Sequence, residues 1–444
     1  NPRILNGTVD LGAFEYAGPL VENDGSATNL TVDSALLGGA ILDLGLDASA
    51  FVRIYWGPED GRDDSNAWAH AVEVGARGAG SFSTVVTNLL PDSMYYYRCF
   101  AGHTGGTSWA QTSTRFAAAP PDTATNIHYV SVGNSNALAP FTTWATASTN
   151  LQAAMDAAAA DDVIMVGTGV YTEAGLHVAR NLTIEGQGIG TTIVQAAESA
   201  YLATDRVMRI DANCSVTLRG LTIQHGRTSL ADQDGGGILS GGDLVLESCM
   251  VTSNSTGGSW FDNSGRGGGV FHAGGHLIVR DCVISHNTAN EFSQRAGDGG
   301  GIYAGGLSMY LSNTVLFGNS GGYGGGVYGH IADFALFDCL VQTNTASRGY
   351  GGGLYNTYGG VDISGGQIVD NVAVVRGAGI CQGSGPLTLT GCSITSNGVG
   401  GGVYSQSQFT EASNCTFRGN AGSGLYVDGM EGYRLTLSDC LFAA

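Results

Sequence analysis

From residue 126 onward, short alternating apolar runs such as Leu277-Ile278-Val279 and Leu387-Thr388-Leu389 recur between glycine-rich stops. A two-residue period marks strands with one buried face, so each run predicts a strand, and the glycine content argues against a helical bundle. The runs repeat in phase. Glycine triplets followed by an aliphatic residue begin at Gly235, Gly267, Gly299, Gly324, Gly351 and Gly400, with degenerate copies at Gly377 and Gly422, and successive spacings run from 22 to 32 residues. Between them recurs an aliphatic or aromatic residue, two variable residues and an asparagine, giving Asn254, Asn287, Asn319, Asn344, Asn371, Asn397 and Asn420. Five residues before each asparagine stand Cys249, Cys282, Thr314, Cys339, Gly366, Cys392 and Cys415, and Cys440 continues that phase.

A unit this short cannot bury its own apolar face, so units must stack, and the pattern predicts an all-β protein built on a right-handed parallel β-helix over 126–444. Equivalent residues of neighbouring coils then lie about 4.8 Å apart, which turns the asparagines into a ladder of side-chain amides with a structural role. The cysteines Cys249, Cys282, Cys339, Cys392, Cys415 and Cys440 form an inward column. Free buried thiols are expected there rather than inter-coil bridges, because threonine and glycine share the column. Residues 149–160 read as a short helix capping the first coil, since an asparagine or threonine start precedes an alanine-rich body with Leu151 and Met155 four apart.

Residues 20–118 have no such period. Strands such as Ala50 to Trp56, Gly80 to Asn88 and Met94 to Ala101, separated by turn clusters, predict a β-sandwich, and 119–125 with Pro120-Pro121 read as a linker. The stretch Leu89-Leu90-Pro91-Asp92-Ser93-Met94-Tyr95 resembles the corner of fibronectin type III domains in which a tyrosine bonds back to the chain, with Tyr95 in that position. The repeats, with Phe417-Arg418-Gly419-Asn420 as the most literal copy, resemble the polymorphic outer-membrane-protein family of autotransporter adhesins. Residues 144–190 look like the start of pectin-lyase-like β-helices. These resemblances imply a fold shared by adhesins and polysaccharide-acting enzymes, and leave the activity open.

Residues 1–19 form a separate N-terminal strand segment. Its first sixteen residues resemble the segment that closes the last coil in secreted β-helix proteins with anchoring domains, yet they precede the sandwich here. The last coil, near Leu435 to Ala444, shows no closing segment of its own. This placement predicts head-to-tail assembly in which Ile4, Val9, Leu11, Phe14 and Tyr16 of one molecule meet Leu435, Leu437, Leu441 and Phe442 of the next, a heterologous contact that makes open filaments.

Composition narrows the chemistry. The 72 glycines among 444 residues show no three-residue period and only 8 prolines accompany them, which excludes collagen. No apolar run of about 18 residues predicts a membrane-spanning helix. A net charge of -20 repels phosphate backbones, so nucleic acid is not an expected partner. Every one of the 18 basic residues is arginine, which removes lysine Schiff-base and lysine general-base mechanisms.

Candidate reactive groups read mostly as structure. The column Ser248, Asp281, Asn313, Asp338, Gly365, Gly391, Asn414 and Asp439 suits turns, and the acids are two coils apart, too far to share one ion. Asp234 and Asp298, each before a glycine triplet, read the same way, and Asp60, Asp63 and Asp64 as a solvated loop. His272, His276 and His286 lack an acidic partner at ligand spacing. No cofactor is expected, calcium being the one ion the acidic residues bring into question. The expectation is therefore a secreted, non-enzymatic protein at the cell surface, adhesive or filament-forming, with a surface glycan or protein as ligand. The alternative is a polysaccharide-binding or lyase-like β-helix protein, for which Trp260, Tyr323, Tyr350 and Tyr358 would supply sugar-stacking rings.

Overall fold

The computed structural model describes residues 18–23, 27–28, 30, 33–45, 47–90, 93–118, 126–200, 202–228, 234–257, 265–289, 297–331, 333–429 and 433–444, and the backbone of 4–5 and 8–9. The chain divides into two compact units, Asn1–Thr123 and Ala124–Ala444.

In the first unit Ile4–Leu5 and Thr8–Val9 pair antiparallel, Ile4 opposite Val9, as a small hairpin rather than one extended strand. A three-stranded antiparallel sheet of Leu20–Asn23, Ser34–Asp43 and Gly80–Thr87 accompanies a five-stranded sheet built on Ala50–Gly57 and Met94–His103. Alternate residues of each, including Leu37, Ile41, Val52, Ile54, Tyr97 and Cys99, are buried in one shared core, as the two-residue period requires of a sandwich. The Tyr95 hydroxyl accepts the Leu90 N–H at 2.8 Å, tying the turn before its strand to the sheet.

The second unit is a parallel β-helix of three sheets. Sheet I runs from Ile127–Val130 through twelve strands to Arg434–Ser438, sheet II from Gly169–Thr172 to Leu441–Ala443, and sheet III from Leu176–Val178 to Leu425–Val427. Successive coils pair without a register shift. Leu218, Leu246, Val279, Leu311, Leu336, Ile363, Leu389 and Ala412 accordingly stack as one buried column, and Ile223, Val251, Ile284, Leu316, Val341, Ile368, Ile394 and Phe417 as another.

The corners explain the repeat. Between sheets I and II the residue before the cysteine column, from Ser248 and Asp281 to Asp439, has φ of +47° to +67° in every coil, which is why only serine, aspartate, asparagine and glycine occur there. A second left-handed residue, such as Ser253, His286 or Gly318, precedes each ladder asparagine between sheets II and III. The following asparagine is buried. Asn344 accepts the backbone N–H and the side-chain amide of Asn319, both at 3.0 Å, and donates to Leu316 O at 2.9 Å and to Asn371 Oδ1 at 3.0 Å. Its neighbours repeat this from Asn287 to Asn397, each amide donating two bonds and its oxygen accepting two, while Asn254 at the start of the ladder accepts the Gly226 N–H.

The glycine triplets are turn-formers in only one position of three. Their first glycine has φ near +60° to +70° in most coils, whereas the third has none of that strain and is small for a different reason. A Cβ on Gly237, Gly269, Gly301 or Gly326 would lie 2.5–2.6 Å from the next coil's glycine carbonyl and within 2.9–3.2 Å of a ladder asparagine.

The helix α1 spans Leu151–Ala157, shorter than the predicted 149–160. Asn150 Oδ1 caps it by accepting the Ala153 N–H, and the Glu173 carboxylate accepts the Leu151 and Gln152 N–H groups. Leu151, Ala154 and Met155 face the core of the first coils. The chain leaves the helix at Ala158 because Arg180 takes its carbonyl and Asp162 takes the Ala159 N–H. Asp162 also bonds buried His128 at 2.9 Å.

Replacing Asn344 by alanine removes the partner of the Asn319 N–H, of one Asn319 amide hydrogen and of the Leu316 carbonyl, while Asn371 Oδ1 keeps the backbone N–H of residue 344. At about 1–3 kcal/mol for each buried group left unpaired, with partial relaxation, the expected loss is roughly 3–5 kcal/mol. Urea unfolding measures it. A loss under about 1 kcal/mol would show that the ladder is ornamental.

Candidate functional site: an aromatic and charged strip on sheet III

Two columns run side by side along sheet III. One is the residue before each glycine triplet: Asp234, Arg266, Asp298, Tyr323, Tyr350 and Arg376, stacked because each following glycine N–H bonds the carbonyl of the next member. The other is the middle residue of each sheet III strand from Ile238–Ser240 onward: Leu239, Phe271, Tyr303, Tyr328, Tyr355, Cys381, Tyr404 and Tyr426. Neighbouring strand residues alternate in and out, so these point away from the core.

The rings pack in two styles. Phe271 on Tyr303 and Tyr303 on Tyr328 are stacked, with centroids 4.9 and 5.0 Å apart and planes 15° and 8° apart. Tyr355 turns edge-on to Tyr328 at 81°, and with Tyr323 and Tyr350 it makes a triangle of tilted rings whose centroids are 5.8–6.0 Å apart. Gly349 makes that arrangement possible, since a Cβ there would lie 2.0 Å from the Tyr323 ring.

Arg266 is the cation of the strip. Its guanidinium lies 4.8 Å from the Phe271 and Tyr303 ring centroids and grips both Asp234 oxygens at 3.2 and 2.6 Å. Burial alone would lower its pKa, but Asp234 more than offsets this and keeps it charged. Asp298 lies in the next coil, half-buried, and burial pushes its carboxyl up to about 7 even though it accepts the Tyr323 N–H and feels Arg266. Burial likewise raises Tyr303 and Tyr328, and pushes Tyr355 up to about 12. Farther along, Arg376 covers Tyr404 at 4.7 Å and bonds its hydroxyl, which donates to Asp428. Cys381 interrupts the row, its thiol driven up to about 12 by burial.

Asp234 and Asp298 stand two coil rises apart, about 10 Å, with Arg266 between them. Asp234 is committed to Arg266 at 2.6 Å. What the strip offers is tilted aromatic surface with phenol, carboxyl and guanidinium edges.

Other residues singled out in the sequence go elsewhere. The ladder asparagines are buried at the corner between sheets II and III, and the cysteine column lies buried between sheets I and II, Cys440 partly so, with all described thiols free. Burial pushes Cys339 up to about 12. His272 and His276 flank the turn between sheets III and I, His286 lies at the corner between sheets II and III, and no metal-holding group occurs among the described residues. Asp60 accepts the Arg62 N–H within its own loop and the hydroxyl of Ser113, which precedes the strand Thr114–Ala117. Tyr358 rests against His330, away from the tyrosine triangle. In the last coil Leu435, Leu437 and Phe442 continue core columns while Leu441 faces outward, and all four are 45–57% exposed. Trp260, Leu11, Phe14 and Tyr16 lie outside the described residues.

Arg266, Phe271, Tyr303, Tyr328, Tyr355 and Tyr404 were not singled out by sequence reasoning. The signal was present: Gly-Gly-Val-Phe, Gly-Gly-Ile-Tyr, Gly-Gly-Val-Tyr and Gly-Gly-Leu-Tyr put an aromatic residue two positions after the triplet in coil after coil.

Residues 312–444 match the family described as right handed beta helix region. No curated protein matches the chain. Among solved structures, the sensor domain of the anti-sigma factor RsgI4 from Pseudobacteroides cellulosolvens in a short form aligns at 11% identity over 24% of this chain and 100% of its own, TM-score 0.19. Its long form aligns at 13% identity over 23% and 91%, TM-score 0.17. Escherichia coli YbhC aligns at 12% identity over 77% of this chain and 89% of its own, TM-score 0.33.

The pKa of Asp298 carries a sign. Raised above its unfolded value near 4, the carboxyl binds more protons folded than unfolded, so its contribution is fully present below about pH 4 and is lost as pH rises through about 7. Thermal midpoints of the native chain are expected to fall over that window more steeply than those of Asp298→Asn. Parallel curves would contradict the assignment.

Proposed function

We propose that this protein is a non-catalytic, extracellular adhesive or structural protein in which the β-helix serves as a stiff rod and the sheet III strip as its contact surface. The observation that carries this reading is the strip itself. Its charged groups are engaged with one another or held at the edge of ionisation, and its rings run along the rod axis over several coils. The likeness of Phe417-Arg418-Gly419-Asn420 and its sister repeats to autotransporter adhesins agrees with it. So does a fibronectin type III-like reading of the first unit, supported by its three- and five-stranded sheets and the Tyr95 to Leu90 bond.

Beads coated with the full chain are expected to adhere to polysaccharide-bearing cell surfaces, and an Arg266→Ala, Tyr355→Ala double variant to lose most of that adhesion. No unsaturated or shortened sugar should be released. Release in proportion to protein concentration would instead favour the polysaccharide-degrading alternative.

The proposal extends to assembly. Residues 1–16 resemble a segment that closes β-helix coils, and strand addition by that segment of a second copy would extend the columns that reach Leu435, Leu437 and Phe442. The Ile4–Leu5 and Thr8–Val9 hairpin supplies paired strands for that contact. Electron micrographs of the full chain should show head-to-tail multimers that disappear when residues 1–16 are deleted. Equal assembly by the deleted chain, or none by either, would remove the filament form.

A further inference from the structure

The triangle of Tyr323, Tyr350 and Tyr355 differs from the rest of the strip. Where Phe271, Tyr303 and Tyr328 cover one another's faces, these three rings are tilted by 34–48° to one another and each is only partly buried. Asp298 sits at the same place, tied to Tyr323 through that residue's backbone N–H, and its electrostatic neighbours are Arg266, Asp234, Tyr328 and Tyr355. Apolar ring surface, phenol hydroxyls and a carboxyl thus converge on one patch. The same three chemical components recognise a sugar ring, whose C–H faces lie on aromatic rings while its hydroxyls bond polar edges.

We propose that Tyr323, Tyr350, Tyr355 and Asp298 form a binding subsite for a neutral linear polysaccharide lying along the rod axis. This deepens the contact role proposed above and rests on it. Direction follows from the coil rise of about 4.8 Å, which repeats the tyrosine positions at a spacing close to one pyranose ring of an extended chain. Charge selects a neutral ligand. A uronic polymer would meet Asp298, Asp234 and a net charge of -20. An organic cation, the other customary guest of tyrosine clusters, would meet the Arg266 guanidinium, already seated on Phe271 and Tyr303.

The test is calorimetric titration of the full chain with neutral hexasaccharides of glucose, mannose or xylose, with a galacturonate hexasaccharide and with tetramethylammonium. At least one neutral hexasaccharide is expected to bind, and its affinity to fall at least ten-fold in Tyr323→Ala and in Tyr355→Ala. Tyr355→Phe, which keeps the ring, should lose less, and Tyr426→Ala, outside the patch, should lose nothing. Unchanged thermal midpoints separate lost contacts from lost folding, and Tyr355→Phe keeps the test valid if an alanine variant unfolds. Absence of neutral-sugar binding by the native chain, equal binding by the variants, or displacement by tetramethylammonium or the galacturonate would overturn the proposal. Adhesion that persists without sugar binding would overturn this subsite and leave the contact role standing. Shortened sugars in the titration cell would overturn the non-catalytic reading and leave the subsite standing.

Discussion

Stacking of the coils depends on a chain of side-chain amides that runs through the rod from Asn254 to Asn420. Each interior amide accepts two hydrogen bonds from the coil before it and donates one to that coil's strand and one to the next amide. Buried polar groups are costly unless paired, and a parallel coil must turn from sheet II to sheet III with its backbone polar groups turned inward. The ladder resolves that difficulty once per coil. It also dictates composition at a distance, since the third glycine of each triplet has no room for a Cβ between an asparagine amide and the next coil's carbonyl. Asparagine and third glycine, seventeen or eighteen residues apart, are two ends of one contact.

The same constraint positions the sheet III strip. With the third glycine held against the ladder, the residue before the triplet and the aromatic two residues after it emerge at fixed places on sheet III. Chain length varies between the asparagine and the next triplet, so insertions fall at one corner and leave core and strip in register. Asp234, Arg266 and Asp298 occupy one column in consecutive coils. Arg266 neutralises Asp234 by a bidentate pair, and Asp298, which has no such pair among the described residues, is pushed up to about 7 by burial. Surface ion pairs contribute little by themselves; this one is half-buried under aromatic rings, where screening is weaker.

The period, the strands, the asparagine ladder, the inward cysteines and the capping helix were all legible in the chain, because each follows from spacing along one dimension. Buried columns of a solenoid are literally sequence repeats, so a residue's phase states its environment. Reading every glycine of a triplet as a turn-former was too simple: the first needs a left-handed backbone, whereas the third needs empty space for a side chain seventeen or eighteen residues later. Asp234 and Asp298, read as turn residues, proved to flank an arginine.

What the sequence by itself determined is therefore the architecture: a β-sandwich unit and a parallel β-helix with its period, corners and core. Only the tertiary structure decided which outward residues meet. Arg266 and Asp234 are 32 residues apart, Tyr323 and Tyr355 likewise 32, and the Asp298 carboxyl gains its raised pKa from burial among rings contributed by other coils. Inward positions are constrained by the same requirement in every coil and so announce themselves by repetition. Outward positions are free to differ from coil to coil, and their chemistry exists only after stacking brings unlike residues side by side.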